Sequence, residues 1–317
     1  MGNNKDEKWM RSYGWLFLSI VLVRITVSLV SGYFLKERAN ELLPLFLSQI
    51  SYVIPALIFI KKKPALAGFK NTMRLKKLSL ASFSLIPFMA LLVLPIVGFV
   101  NGISMLFTEN QMVNSMDVLM PNISYLPMLF VAAFVPAICE ESVYRGVLLT
   151  GFEKGGMWKG IIYSAFAFAL LHLNLNQFMY AFVFGMIMGL VVEISGSVFA
   201  SMLIHFCMNG MSISMMYLME RFGKLALNEV NQMSGQMATI SLVLAIAFYG
   251  FISIFAIAGM IGLLFLIAKI EGREKSFSVL NPFSKWREKP YVSRVLSIPL
   301  IIAMDICAVV IVLVEVW

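Results

Sequence analysis

Charged residues are scarce in this 317-residue chain: Asp, Glu, Lys and Arg make up 13% of it, whereas hydrophobic residues make up 60%. Soluble globular domains carry about 25% charged residues, so this composition excludes a soluble protein. Apolar runs long enough to cross a bilayer recur from residue 13 to the last residue. Because lipid offers no hydrogen bonds to the backbone, we expect these runs to be helices. The sequence predicts an all-α fold, a polytopic transmembrane helical bundle of about 8–9 membrane helices that forms a single integral membrane domain over residues 1–317.

Cysteine and histidine are also rare. The three cysteines, Cys139, Cys207 and Cys307, lie inside apolar runs, and no CxxC pair exists that would indicate a zinc finger or a redox centre. The chain has only two histidines, His172 and His205. It has no phosphate-binding glycine loop, no dinucleotide-binding motif and no base-reading motif, which argues against nucleotide cofactors and nucleic-acid partners.

Nine apolar stretches are candidate spans. They lie near residues 13–34, 44–60, 79–106, 126–149, 160–174, 178–194, 199–219, 238–268 and 295–317. The fifth and sixth are short and are separated only by Leu175, Asn176 and Gln177, so they form either a tight helical pair at membrane depth or two full crossings. In the sixth, Gly185 and Gly189 permit close helix approach, which we interpret as packing within the bundle rather than as a dimer contact.

Lys and Arg residues fall mainly on one side of these spans. With the amino terminus placed inside, only Lys36, Arg38, Arg221 and Lys224 lie in outer loops, whereas most of the 25 basic residues lie in inner segments. This bias predicts a multi-pass integral membrane protein with a cytoplasmic amino terminus. The net charge of +8 is therefore explained by membrane orientation, and we expect the basic loops to contact anionic membrane lipids.

An ionisable residue within an apolar span is costly unless it is paired or hydrated, and eight such residues are functional candidates. They are Arg24, Glu140, Glu141, Arg145, His172, Glu193, His205 and Asp305. Glu141 and Arg145 are four residues apart with the acid on the N-terminal side, which is the favourable arrangement for an ion pair on a helix. Glu140 is rotated by about 100° from Glu141 and is therefore free to face a cavity.

The two histidines lie in other spans but at a similar depth. His172 is predicted to share a helix face with Phe168, and His205 to share one with Asn209. At about 1.5 Å per residue, Glu140, His172 and His205 lie roughly 15, 18 and 10 Å from the cytoplasmic ends of their spans. We therefore expect these three side chains to meet in a water-filled intramembrane cavity that opens toward the cytoplasm.

A metal ion is one way to use these groups. Two histidines and one carboxylate with an open position suit a zinc ion that polarises a water molecule, so Glu140, His172 and His205 are candidate metal ligands. The same groups can also act on water without a metal. The residues by themselves leave both alternatives open.

The remaining intramembrane charges have simpler interpretations. Arg24 and Asp305 each lie roughly 15 Å from the cytoplasmic side of their spans, which predicts an ion pair between the first and last spans. A substrate role for Arg24 is the alternative. Glu193 either partners Arg145 or reaches the membrane interface.

Three short strings of polar residues follow one another between residues 125 and 210. They are EExxxR at Glu140, Glu141 and Arg145, FxxxH at Phe168 and His172, and HxxxN at His205 and Asn209. In order and content these strings resemble the CAAX-protease and bacteriocin-processing family, also called CPBP or Abi, which includes the type II CAAX prenyl endopeptidases. The resemblance marks residues 125–210 as the catalytic core and leaves residues 220–317 as accessory C-terminal helices.

The resemblance implies hydrolysis of a peptide bond by an intramembrane (metallo)endopeptidase. Glu140 and His172 would activate the attacking water, and His205 and Asn209 would hold the water or stabilise the oxyanion. Glu141 and Arg145 would support the site. The implied partner is a membrane-associated protein or peptide, either prenylated or not.

Two other classes of protein fit parts of the pattern. A proton-coupled transporter would use the same carboxylates and histidines as a proton relay, but it predicts internal repeats, which the sequence does not show. A non-catalytic membrane scaffold or regulator would tolerate decay of the three strings, and all three are intact here.

Overall fold

The computed structural model of the protein describes residues 4–34, 42–62, 69–108, 123–222, 235–277 and 295–316. These residues form helices and contain no strand. We number the helices in chain order as α1 (Asn4–Phe34), α2 (Leu42–Lys62), α3 (Phe69–Thr72), α4 (Leu80–Ser104), α5 (Tyr125–Gly155), α6 (Met157–Leu170), α7 (Leu175–Ser195), α8 (Val198–Phe222), α9 (Gly235–Ile270), α10 (Glu274–Phe277) and α11 (Ile298–Val316).

Eight helices in the described part of the chain are long and apolar enough to cross a membrane. They are α1, α2, α4, α5, α7, α8, α9 and α11. The chain is therefore a multi-pass integral membrane protein, and the predicted fold class is confirmed. The fifth predicted span, 160–174, corresponds to α6, an apolar helix of only 14 residues.

A short turn joins α6 to α7 and lies at one end of the bundle. Leu173 has a left-handed backbone with a φ of 53°, and the side chain of Asn174 then caps α7 by accepting the Gln177 backbone N–H at 2.8 Å. Asn176 donates to the side-chain oxygen of Asn101, near the end of α4, at 3.2 Å. We call this the Asn176 end. Since the turn lies beside the end of a full-length helix, α6 and α7 both reach this end as an antiparallel pair.

A cluster of charged residues holds the opposite end of the bundle, which we call the Glu153 end. Arg74, which follows α3, has a φ of 52° and pairs with Glu153 of α5 and with Glu193 of α7, the latter at 2.8 Å. Arg273 donates to the backbone carbonyl of Glu193 at 2.9 Å. Of the two interpretations of Glu193, the pair with Arg145 is therefore wrong, because its carboxylate pairs with Arg74.

Glu271 connects the end of α9 to the start of α4. Its carboxylate accepts the backbone N–H of Ser79 at 2.9 Å and lies 3.3 Å from the Lys76 ammonium. Burial raises the pKa of Glu271, but these donors outweigh burial and hold the pKa below its ordinary value. The contact satisfies a backbone donor at the start of α4 and keeps α9 against that helix.

Glycines allow close contact between α6 and α7, where lipid supplies little hydrophobic gain for helix association. A Cβ atom on Gly185 would lie 3.0 Å from Ala165, and one on Gly189 would lie 3.0 Å from Ile161. Both glycines therefore pack within the bundle, as predicted.

Helix α5 is irregular along its length. Its segments Phe130–Phe134 and Ser142–Leu148 are π-helical, and the α-helical segment Val135–Glu141 lies between them. A π-turn inserts one residue into a helix and is found frequently at functional sites. The two glutamates of the EExxxR string end the middle segment and are followed directly by the second π-helical segment.

Several predictions about topology fall partly on residues that the structure does not describe. Lys36, Arg38 and Lys224, three of the four basic residues predicted in outer loops, lie outside the described residues. Parts of the basic loops and of the predicted accessory segment 220–317 also lie outside them. The domain boundaries and the cytoplasmic amino terminus therefore stay predictions.

Candidate active site

A buried ion pair forms the base of the site. Arg145 Nη1 donates to Glu141 Oε1 at 3.0 Å, and both side chains are fully buried. The predicted pair is thus confirmed. The guanidinium also lies over the ring of Phe168, with its central carbon 4.3 Å from the ring centre. Loss of either charge would leave its partner buried and uncompensated.

His205 of α8 connects this ion pair to the second carboxylate. Its Nδ1 lies 2.9 Å from Glu141 Oε1, and its Nε2 lies 3.9 Å from Glu140 Oε2. Since an ionised carboxylate only accepts hydrogen bonds, Nδ1 carries the proton, and Nε2 of the neutral ring presents a lone pair toward Glu140. The 3.9 Å gap is too long for a direct hydrogen bond but suits a bridging water.

His172 lies in the turn after α6 and not within the helix. It nevertheless contacts Phe168, as predicted. Its Nδ1 lies 3.0 Å from the Phe168 carbonyl oxygen. A carbonyl only accepts hydrogen bonds, so Nδ1 is the protonated nitrogen and Nε2 is available to another group. The Phe168 ring centre lies 4.9 Å from the His172 ring centre and 6.1 Å from the His205 ring centre.

Glu140, His172 and His205 lie close to one another. Glu140 Oε2 lies 3.9 Å from His205 Nε2, and the rings of both histidines lie against the ring of Phe168. Residues of α5, α8 and the turn after α6 therefore come together, as the sequence predicts. Their catalytic roles stay predictions, as does the opening of a cavity toward the cytoplasm.

Asn209 of α8 binds the backbone of α5. Its amide nitrogen donates to the carbonyl oxygen of Ala132 at 3.2 Å, within the first π-helical segment. The bond uses one of the two amide hydrogens and leaves the second for another acceptor. Asn209 therefore ties α8 to α5 and keeps a donor that can serve a substrate.

The predicted zinc ligands have suitable chemistry, but their side chains are not close enough together to share one metal ion. The Nε2 atoms of His172 and His205 are unprotonated in the neutral rings, and each Nδ1 is held by an acceptor, as is usual for metal-bound histidines. Within the described residues, however, no three His, Cys, Asp or Glu side chains are grouped closely enough to hold a metal ion. A zinc ion at Glu140, His172 and His205 therefore does not fit this arrangement of side chains.

Arg24 has neutral partners instead of the predicted acidic one. Its Nε donates to the Tyr52 hydroxyl at 3.1 Å, and its Nη1 donates to the Ser28 hydroxyl. Arg24 and Asp305, both in the described part of the chain, form no ion pair within 4.0 Å. The predicted pair is wrong, because Asp305 is exposed on α11 and Arg24 turns toward α2.

Sequence reasoning missed the aromatic residues that surround the site. The ring centre of Tyr144 lies 5.3 Å from that of Phe168 and 6.2 Å from that of Tyr52. Phe184 contacts His205 edge-on at 5.4 Å. Tyr144 carried a signal, since it lies inside the EExxxR string. Tyr52 and Phe184 carried none, because aromatic residues are common in every apolar span of this chain.

The fold and this cluster define an integral membrane protein with a buried carboxylate and imidazole site. Residues 122–211, which contain all three strings, match the family model described as Rce1-like, Type II CAAX prenyl endopeptidase Rce1-like. The match covers less than a third of the chain, confirms the predicted family resemblance and supports a protease that acts within the membrane. No curated protein and no solved structure gives a match.

Proposed function

We propose that the protein is an intramembrane endopeptidase that hydrolyses a peptide bond of a membrane-associated protein or peptide. The observation that carries this proposal is the 3.9 Å separation between Glu140 Oε2 and His205 Nε2. A water placed between these atoms contacts two acceptors at once. It is thereby oriented, with one hydrogen on each acceptor, for attack on a carbonyl carbon.

The chemistry follows from the charges around this water. Glu140 takes a proton as the water oxygen forms a bond to the peptide carbon, and it returns the proton to the leaving amine when the C–N bond breaks. His205 holds the water through Nε2 and is oriented by Glu141, which accepts a hydrogen bond from Nδ1. We assign His172 to water activation beside Glu140, and the free amide hydrogen of Asn209 to the oxyanion.

The family description suggests the substrate class for this proposal. A type II CAAX prenyl endopeptidase is named for a prenylated cysteine followed by three residues at a chain end, so we take such a protein as the first candidate substrate. Lipid surrounds the spans and would also solvate the prenyl group. We further propose that the substrate enters from the cytoplasmic side, in keeping with the predicted orientation.

Substitution of the proposed base tests the function. Glu140→Gln keeps the size of the side chain but removes the proton acceptor, so we expect cleavage of a verified substrate to fall at least about 100-fold. The assay compares purified wild-type and variant proteins in lipid vesicles. Glu274→Gln, at the start of α10 and outside the spans, is the matched control and should cleave at the wild-type rate. Cleavage retained by Glu140→Gln would favour the scaffold or transporter alternatives.

The metal alternative needs its own test, because the proposed steps use side chains only. We expect the purified protein to keep its cleavage rate within about twofold after exhaustive chelation, with metal analysis confirming that no zinc remains. Loss of cleavage that returns on addition of zinc would instead assign Glu140, His172 and His205 as ligands, where the ion would lower the pKa of a bound water.

A further inference from the structure

Arg24 carries a charge that has no ion-pair partner among the described residues. It lies within the α1 span, is half-buried, and has no Asp or Glu carboxylate within 4.0 Å among the described residues. Its two hydrogen-bond acceptors, the hydroxyls of Tyr52 and Ser28, are neutral. Arginine inside a membrane is costly and usually faces an anion or a functional cavity.

Arg24 also lies at the depth of the proposed catalytic base. Tyr13 of α1 and Gly151 of α5 are at one level, because a Cβ atom on Gly151 would lie 2.2 Å from the Tyr13 ring. Arg24 follows Tyr13 by eleven residues, and Glu140 precedes Gly151 by eleven residues. The helices run in opposite directions, so both residues lie about 16 Å from that level, on the same side of it.

Contacts across α2 bring Arg24 to the edge of the site. Arg24 donates to Tyr52, whose ring meets Tyr144, and Tyr144 meets Phe168 between the two histidines. The arginine is therefore near the reacting groups without contacting them.

The donors that remain on Arg24 fit a carboxylate. Nε and Nη1 are used by Tyr52 and Ser28, and Nη2 makes no hydrogen bond within the described part of the chain. A guanidinium with free N–H groups binds a carboxylate through short, charge-assisted hydrogen bonds. Tyr52 fixes the guanidinium, so little conformational freedom is lost on binding.

We propose that Arg24 is a substrate-binding residue that receives the carboxylate at the carboxyl terminus of the substrate. This inference rests on the proposed function. Three extended residues span about 10 Å, so a terminal carboxylate at Arg24 leaves a peptide bond a few residues upstream free to reach the water at Glu140. The site would then select chain ends, and Arg24 would set the distance from the chain end to the cleaved bond.

The test compares peptides that differ only in the terminal charge. The probes are fluorescent decapeptides ending in an S-farnesylated cysteine and three aliphatic residues, one with a free carboxyl terminus and one with an amide. A third probe is amidated and carries Glu as its last residue, so it offers a side-chain carboxylate instead. Binding is measured with the Glu140→Gln protein in vesicles, which makes the readout independent of turnover.

We expect the Kd of the acid to be at least about tenfold lower than the Kd of the amide. This ratio corresponds to the contribution of one charge-assisted hydrogen bond. Adding Arg24→Gln should bring the two affinities within about twofold by weakening the acid alone. Arg11→Gln, which removes an exposed charge from the same helix, is the control and should keep the preference. In wild-type turnover, Arg24→Gln should raise KM for the acid by a larger factor than it raises KM for the amide.

Each other outcome has a defined meaning. Equal affinity for acid and amide in the parent protein, or an equal loss of both with Arg24→Gln, would overturn the proposal. Tighter binding of the Glu-ended amide than of the acid would overturn the chain-end assignment. A preference that depends on Arg24, together with no hydrolysis of any probe by the wild type, would support the anion site and reject the endopeptidase function.

Discussion

At the scale of single residues, the site depends on a chain of charge contacts. Arg145 neutralises Glu141, Glu141 holds Nδ1 of His205, and His205 turns Nε2 toward Glu140. Arg145 and Glu141 are both fully buried. If either side chain is removed, water cannot take its place as the partner of the other. In the proposed mechanism, the arginine therefore acts through the orientation of the histidine.

Removal of Arg145 should therefore destabilise the protein strongly. We expect Arg145→Met to lower the free energy of unfolding by about 3 kcal/mol or more, because Glu141 stays buried without its main counter-charge. The measurement is unfolding of the vesicle- or micelle-bound protein by a denaturing detergent, followed by circular dichroism.

A second substitution separates stability from catalysis. The double variant Arg145→Met with Glu141→Gln should recover most of the lost stability, since no unpaired charge remains. Its cleavage should stay at least about tenfold below wild type, because a neutral amide accepts the Nδ1–H of His205 more weakly than a carboxylate and orients the ring less firmly. A double variant as unstable as Arg145→Met alone would contradict a charge-based explanation. Arg11→Met, at an exposed position on α1, is the control.

At the scale of helices, small residues set the contacts on which the site depends. Gly151 places α5 directly against α1, and Tyr13 occupies the space that a side chain would fill. The Tyr13 ring is fully buried and also contacts Phe59 and Phe152, so it cannot easily move aside. This contact fixes the depth of Glu140 relative to Arg24.

Gly151→Ala should consequently disturb the whole α1–α5 contact. The added Cβ atom would meet three Tyr13 ring atoms at 2.2 to 2.5 Å, which is overpacking that costs about 1–3 kcal/mol of unfolding free energy. Detergent unfolding measures the change. Gly262→Ala on α9, where no atom lies within 4 Å of the new Cβ, should unfold like wild type. Equal stability of the two variants would show that the contact is looser than described.

At the scale of the molecule, the two ends of the bundle differ in chemistry. The Glu153 end carries the Arg74 cluster and the exposed Lys77. The Asn176 end carries neutral amides and the Glu315 carboxylate, which accepts the Leu175 backbone N–H at 3.1 Å, and the exposed Phe107 is nearby. Excess of Lys and Arg marks the cytoplasmic side of membrane proteins. By this rule we expect the Glu153 end to be cytoplasmic.

Labelling from each side of the membrane tests this orientation. We expect a membrane-impermeant thiol reagent to modify Lys77→Cys only from the cytoplasmic side and Phe107→Cys only from the opposite side. The wild-type protein is the control, because its three cysteines lie within spans and should not react. Modification of both positions from one side, or the reverse pattern, would contradict the predicted topology.

The sequence by itself determined the membrane fold and the local pairs. A deficit of charge forces the chain into lipid, and helical geometry places residues four apart on one face, which is why the Glu141–Arg145 pair and the Gly185 packing were predictable. Only the tertiary structure decided which helices supply the other partners: Glu193 pairs with Arg74, Arg24 with Tyr52, and His205 with Glu141. Partners on different helices depend on rotation and relative depth, which are set by packing, by the π-helical segments of α5 and by the turn at His172. None of these leaves a periodic signal in the sequence.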